Sequence, residues 1–578
     1  MAGPTAPKDP EKARPFFYIL KDKDIFGERQ KDGTGIQFIY ESDGRLINSA
    51  QITGNVTDKE ELRLLETVEG FGRLVHSIGV SVETDRSEET AEFVFQMYGK
   101  KDLYGGGTNL TTSLKCDGME HRIYLSDYRW TEDDHVPGQI KILFAAPERM
   151  GKVSVRLFLN DGYEAPPEEE DLVIDMHSEE YCGMISRSLL QLGNPYRIRK
   201  AIEKSKAGKE VTLAYIGGSI TQGAGAIPIH TECYAYKSFQ LFQNRFSTQN
   251  NVRFIKAGVG GTPSELGMIR FDRDVLREGE RPDIVVIEFA VNDEGDETKG
   301  VCYESLVRKV LKLPWKPAVV LLFSVFANDW NLQERLRPVG DLYDLPMVSI
   351  RDAVTPQFSL KCGEGRILSK NQFFYDIFHP NNTGHTIMAD CLQYLFERCD
   401  AAEPARVGTF VEGMTEEQIL SEKLSGPAVI GADFERIFLL DKKNRYVGAK
   451  IRAGSFTSTD IELQSVEMDG SLTQTPEFPY NWMYDGSRPQ MPGFEMEITC
   501  KSLFLIFKDS GETDVGKANV FVNDVYCMTA DPHKNNWLHC NAVLLFWETE
   551  SRSHKVRIAV TEEDRNKKFT ILGFGYTI

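Results

Sequence analysis

From about residue 15 to residue 170 the chain alternates apolar and polar positions in short runs: GIQFIY, LVHSIGVSVE, AEFVFQMY, HRIYLSDYRW, QIKILFAA and KVSVRLFLN, with Gly, Asp and Asn between them. Side chains of an extended strand point to opposite faces in turn, so this period of two predicts half-buried strands. Six or more such strands separated by turn signals predict an antiparallel β-sandwich over 15–172. The acidic, proline-bearing stretch YEAPPEEEDL, ending at Leu172, reads as its exit linker.

The rhythm changes over 180–400. VTLAYIG (211–217) is a continuous apolar run, as a strand buried on both faces requires. A helix over Tyr234–Phe246, the strand VRFIKAG, a helix near Glu265–Arg277, the strand IVVIEFA (284–290), a helix near Tyr303–Leu313 and the strand AVVLLFSVF (318–326) follow. Strands alternating with helices predict an α/β region with a parallel sheet covered on both sides. Ligands of such sheets bind beyond the carboxyl ends of the strands.

Strand alternation returns over 405–578 in RIFLL, KIRAG, FEMEITC, SLFLIF, ANVFVNDVY, AVLLFW, KVRIAV and FTILGFGY, which predicts a second β-sandwich. A chain of 578 residues fits three domains at roughly 100–200 residues each.

The net charge is −19, from 67 basic and 86 acidic residues. Such a surface repels phosphate backbones and anionic lipid, so neither nucleic acid nor a membrane is an expected partner, and neutral ligands such as sugars remain. The proline-rich, charged N-terminus MAGPTAPKDPEKARPFF has no apolar core of a signal peptide, which makes a cytoplasmic location the expectation, although a trimmed secreted chain would look the same. The ten cysteines form no C-x-x-C pair and are expected as reduced thiols. A metal site of His533, His539 and a cysteine has no tetrahedral spacing behind it, so no metal and no cofactor are expected.

Four segments carry candidate chemistry, each placed after a strand of the α/β region or before its last helix. YIGGSIT puts Ser219 directly after the first parallel strand, where Gly217 and Gly218 allow a sharp turn that exposes the hydroxyl, as nucleophilic catalysis needs; Gly-Gly-Ser is equally a common solvent turn. AGVGGTPSELG (257–267) offers Gly260 and Gly261, small enough for backbone N–H groups to approach an oxyanion, or else a tight turn with Thr262 or Ser264 as N-cap. FAVND (289–293) offers the side-chain amide of Asn292, with Asp293 read as a turn or cap residue. DIFHPNNTGH (376–385) sets Asp376 and His379 three residues apart, so the carboxylate can face one ring nitrogen while the other faces a nucleophile. Thr383 is read as a cap of the helix that follows, and His385 as a packing histidine.

In the order Ser, Gly, Asn, Asp-x-x-His, these residues resemble the SGNH (GDSL-like) hydrolase superfamily over roughly 205–400. The resemblance implies a flavodoxin-like fold, with Ser219 as nucleophile, His379 as base and Asp376 completing the triad. It also implies an oxyanion hole of the Ser219 N–H, the N–H of Gly261 (or its neighbour Gly260) and the Asn292 amide. One departure stands out: the common Gly-Asp-Ser reads Gly217-Gly218-Ser219. The missing aspartate is no triad member, so catalysis is expected to survive.

The overall plan resembles multidomain bacterial carbohydrate esterases, which implies an O-acetyl esterase acting on acetylated glycans such as xylan or mannan. Trp330 follows a sheet strand on the catalytic side and is a candidate to line the pocket, while Trp130, Trp482 and Trp537 read more simply as structural. A lipase or thioesterase of the same fold and a non-catalytic carbohydrate-binding scaffold stand as alternatives, and a homo-oligomer is left open.

Overall fold

The computed structural model describes residues 12–40, 45–101, 106–168, 170–402, 415–488 and 490–578. Most of the N-terminal stretch that lacks a signal-peptide core, and the expected boundary near residue 405, lie outside the described residues.

The N-terminal region forms two antiparallel sheets. One has the order Phe16–Phe26, Met150–Leu159, Val75–Thr84, His121–Tyr124; the other runs Glu28–Arg29, Gly35–Tyr40, Asp134–Phe144, Thr90–Gly99, Gly106–Lys115. Alternation does what the pattern predicts: Val153, Val155, Leu157 and Leu159 are buried from one sheet, and Phe93, Phe95, Ile140 and Ile142 from the other, in one shared core. Three short helices, Arg45–Thr53, Lys59–Leu64 and Val68–Leu74, also contribute, and the strand reading missed them. Their signals are caps: Asp58 and Thr67 accept backbone N–H groups at the starts of the second and third.

The central sheet has six strands in the order Leu189–Gln191, Met347–Ser349, Ala318–Phe323, Ile284–Glu288, Val211–Gly217, Val252–Gly258. Five are parallel, and their order, numbered along the chain, is 2-1-3-4-5, the flavodoxin-like arrangement. The expectation of a purely parallel sheet is corrected at one edge, where Leu189–Gln191 pairs antiparallel with Met347–Ser349. Every residue of Val211–Gly217 is buried, because alternate side chains enter two different cores. Val211, Leu213 and Tyr215 pack under the helices Tyr234–Phe246 and Asn382–Asp400. Ala214 and Ile216 pack under Ser264–Phe271, Val301–Leu311 and Gln333–Tyr343. The predicted helix near Glu265–Arg277 is α-helical to Phe271 and then widens into one π turn, Asp272–Leu276.

C-terminal strands pair into one eight-stranded antiparallel network. Two pairs of predicted strands are continuous: FEMEITC and SLFLIF form Phe494–Asp509, and AVLLFW and KVRIAV lie in His539–Val560, both carried across register shifts. ANVFVNDVY instead splits into Ala518–Val522 and Val525–Ala530 around Asn523 and Asp524, whose φ of 54° and 62° make the hairpin turn. Phe504, Ile506 and Leu572 of this region belong to the same apolar core as Ala214 and Ile216 of the central sheet. No helix among the described residues is long and apolar enough to cross a membrane, and all ten cysteines are free thiols.

Candidate active site

The first and third parallel strands of the central sheet in chain order, Val211–Gly217 and Ile284–Glu288, are neighbours and end side by side, so the loops that follow them share one rim. Ser219 opens the short helix Ser219–Gln222, which closes at once on Gly223 at a left-handed φ of 109°. The turn is tight because residue 218 has no side chain. A Cβ built on Gly218 would lie 2.2 Å from Asn292 Oδ1 and 2.7 Å from its Nδ2. The Asn292 amide therefore fills the space in which the aspartate of a Gly-Asp-Ser motif would begin.

Asp376 and His379 build their own geometry locally. Asp376 Oδ1 accepts the backbone N–H groups of Phe378 (2.8 Å) and His379 (2.9 Å), an Asx-type turn, while Tyr375 N–H donates to the His379 carbonyl (2.8 Å). Asp376 Oδ2 lies 2.9 Å from His379 Nδ1, and His379 Nε2 lies 2.9 Å from Ser219 Oγ. A carboxylate can only accept, so the proton sits on Nδ1 and leaves Nε2 to accept the serine hydroxyl. Residues 160 positions apart in sequence are thus joined in one chain of hydrogen bonds.

The two glycine candidates differ. Gly260 N–H is engaged by Gln222 Oε1 (3.0 Å). Gly261, at φ 72°, has an amide with no acceptor among the described residues, and the Ser219 amide is in the same state. Unengaged backbone donors of this kind are what acyl-transfer chemistry uses. Thr262 and Ser264 are not N-caps: Thr262 Oγ1 donates to Val259 O, and Ser264 donates through N and Oγ to Asp293, which ties this loop to the Asn292 loop. Asp293 is the capping residue the sequence suggests. Asn381, not Thr383, caps the helix Asn382–Asp400, because its side chain reaches the Gly384 N–H. His385 is fully buried, accepts the Tyr234 N–H, and is held neutral, its pKa driven down to about 3 by burial.

Several site residues carry no sequence signal. Glu288, at the end of its strand, is completely buried and accepts the Thr221 hydroxyl (3.0 Å), which in turn meets Tyr234 OH (2.8 Å). Burial pushes its carboxyl up to about 7, against hydrogen bonds from Ser324, Thr221 and the Gly218 N–H and the electrostatic pull of the nearby His379. From the C-terminal region, Gln464 donates to Gly260 O (2.9 Å), Glu467 accepts from Gln222 (3.0 Å), and His539 donates from Nε2 to Gly261 O (3.1 Å). Asp509 lies 3.2 Å from His539 Nδ1, and His533 is bonded to Val515 O instead, so the two histidines serve different partners. Trp537, half-exposed, packs on His539 with ring centroids 4.6 Å apart, and its edge would lie 2.7 Å from a Cβ on Gly261. It stands beside Gly261, where the sequence reading favours a structural tryptophan. Trp330 sits further out: it stacks on Phe326 (5.7 Å), which meets Phe378 (5.1 Å), which lies edge-on to His379 (6.1 Å).

One buried group has the composition of a metal site. Ligand atoms of Glu265, Asp296 and Cys302 lie within 4.8 Å of one another. Asp296 is already saturated by Thr298 and Gly300, and Glu265 is pushed up to about 10 by burial and by the Asp296 charge.

The fold of the central region is that of a GDSL-like, SGNH-type hydrolase domain. Residues 215–387 match the family described as GDSL-like Lipase/Acylhydrolase, and the chain carries a domain of that family. Among solved structures, the chain is similar to a two-domain esterase (CEX) active on acetylated mannans, with 23% identity and a TM-score of 0.54 over 68% of this chain and 98% of that one. The same esterase co-crystallised with mannopentaose gives 24% identity and a TM-score of 0.53 with the same coverage. These likenesses establish the fold. No curated protein matches the chain.

Proposed function

We propose that the chain is a serine esterase that removes O-acetyl groups from carbohydrates through an acyl-enzyme. The observation that carries this reading is the continuous hydrogen-bonded line from Ser219 Oγ through His379 to Asp376, with 2.9 Å at each step. Ser219 Oγ attacks the acetyl carbonyl as Nε2 of His379 takes its proton, and Asp376 stabilises the imidazolium. Charge developing on the carbonyl oxygen is met by the amides of Ser219 and Gly261 and by the Asn292 side chain; loss of one such donor typically costs on the order of 10²–10³ in turnover. The imidazolium then protonates the leaving sugar oxygen, which departs as the hydroxyl. A water molecule, deprotonated by the same ring, releases acetate from Ser219.

A carbohydrate leaving group is supported by the aromatic rings at the rim. Trp537 on one side and Phe378 on the other are both partly exposed, as faces that stack on the C–H side of a sugar ring must be. The structural likeness to an esterase active on acetylated mannans supports the same substrate class. The outer regions, 15–172 and 405–578, read as β-sandwich modules in this scheme. Incubation with acetylated mannan and acetylated xylan oligosaccharides, followed by NMR, tests it. The expected result is free acetate from at least one of them; turnover of long-chain acyl esters alone moves the chain to the lipase class.

A further inference from the structure

The loop that carries Asp376 and His379 is gripped from outside the α/β region. Lys23 lies in the strand Phe16–Phe26 of the N-terminal region, just after a bulge at which Asp22 takes a φ of 51°. Although a lysine, it is 3% exposed, and its Nζ donates to the carbonyl of Phe374, two residues before Asp376. Phe374 forms a bridge with Pro380, so this contact closes the base of the Asp376–His379 loop. Tyr375, the next residue, packs into the N-terminal core, while Ile52 of the N-terminal helix Arg45–Thr53 packs into the core of the central region. The segment leaving the N-terminal region holds the stretch that leads into this loop, ahead of Phe374. Asp171 accepts from Asn371 (3.2 Å) and pairs with Arg366 (3.6 Å), and Leu172 O accepts from Gln372 (2.7 Å).

Burying an ammonium is costly unless it makes strong hydrogen bonds, so a lysine at this place needs a reason in its contacts. A carbonyl gripped by a charged donor loses its freedom to swing, and the hydrogen bonds from Asp376 to His379 and from His379 to Ser219 tolerate little swing. We propose that Lys23 is a positioning residue for the Asp376–His379 loop, and that the N-terminal region acts as a brace for the triad rather than as a detachable sugar-binding module. The inference rests on the triad assigned above but not on the identity of the ester.

The test uses the full chain with K23M, which keeps most of the apolar stem and removes the donor, and K23Q, which keeps a shorter donor. K115M, an exposed position of the same region, serves as control. Three readouts are taken: kcat and KM on 4-nitrophenyl acetate, the rate of Ser219 labelling by a fluorophosphonate, and the low-field imidazole N–H resonance of His379. The expected result is a folded K23M with kcat and labelling rate both down at least tenfold, KM within about threefold, and the resonance broadened or lost. K23Q should fall between K23M and the wild type, and if K23M does not accumulate folded, K23Q read on the same three measures decides. Full labelling and an unchanged resonance in a folded Lys23 variant overturn the proposal. A wild-type chain that labels at Ser219 but frees no acetate from glycans removes the substrate reading alone. Absence of Ser219 labelling in the wild type overturns the triad and this inference together.

Discussion

Gly218 and Asn292 compete for a single volume: a β-carbon on the first would sit 2.2 Å from the side-chain oxygen of the second. The residue before the nucleophile and the oxyanion amide are thereby coupled, and the missing aspartate of the Gly-Asp-Ser pattern becomes a condition for where Asn292 lies. G218A should displace the amide, lowering kcat on the order of 10²-fold while costing about 1–3 kcal/mol through overpacking. Steady-state kinetics beside thermal unfolding check both; an active G218A with an unshifted Tm refutes the coupling.

Replacement of the triad residues should separate their roles. S219A is expected to abolish acetate release, and D376N to lower kcat on the order of 10³–10⁴-fold by permitting the wrong imidazole tautomer. Both variants should unfold at nearly the wild-type temperature. Acetate release from S219A at more than a trace would mean a different nucleophile.

Glu288 predicts a pH dependence of stability. Its folded-state pKa is raised to about 7 from an ordinary 4.5 by burial, so the folded protein holds this proton more tightly than the unfolded chain. The stabilisation is complete below about 4.5 and is lost as pH rises through about 7. The titratable groups facing it come from several elements: His379, Asp293 and the phenols of Tyr234 and Tyr303. E288Q keeps an acceptor for Thr221 and cannot ionise, so its stability relative to wild type should grow between about pH 5 and about pH 8, by up to roughly 3 kcal/mol. His385 works in the opposite sense, because a pKa depressed to about 3 loses stability as pH falls below its ordinary 6.5. Comparing variant and wild type at each pH cancels that contribution. Parallel unfolding curves at both pH values would rule the Glu288 effect out.

Trp537 should matter for the sugar and not for the bond broken. W537A is expected to raise KM for acetylated oligosaccharides on the order of tenfold, the worth of one aromatic face. Its kcat on 4-nitrophenyl acetate should stay within about twofold. Equal losses on both substrates would instead indicate damage to the Gly261 loop.

The α/β region was legible because its strands are largely apolar, with Ser219, Gly261 and Asn292 soon after three of them and Asp376 and His379 just before the last helix. The helix caps were less legible: Ser264 looked like a cap but donates to Asp293, a choice that depends on a loop 29 residues away. Glu288 was read only as part of an apolar strand, since nothing local says that its carboxyl turns inward to Thr221. Gln464 carries no local signal for another reason, and the segment NNWLHC offers Trp537 and His539 as cleft candidates without placing them. Their partners lie some 200 residues or more away in sequence, and no periodicity encodes which faces of two regions will meet. Lys23 is the same case at the other end of the chain.

Phe504, Ile506 and Leu572 share a core with the central sheet, and this has a practical consequence for dissecting the gene. A fragment trimmed to the hydrolase family match would bare an oily flank and lose the wall behind its glycine loop. Such a fragment should clump instead of behaving as a miniature enzyme. Recombination that swapped the tail among unrelated hydrolases would meet the same obstacle.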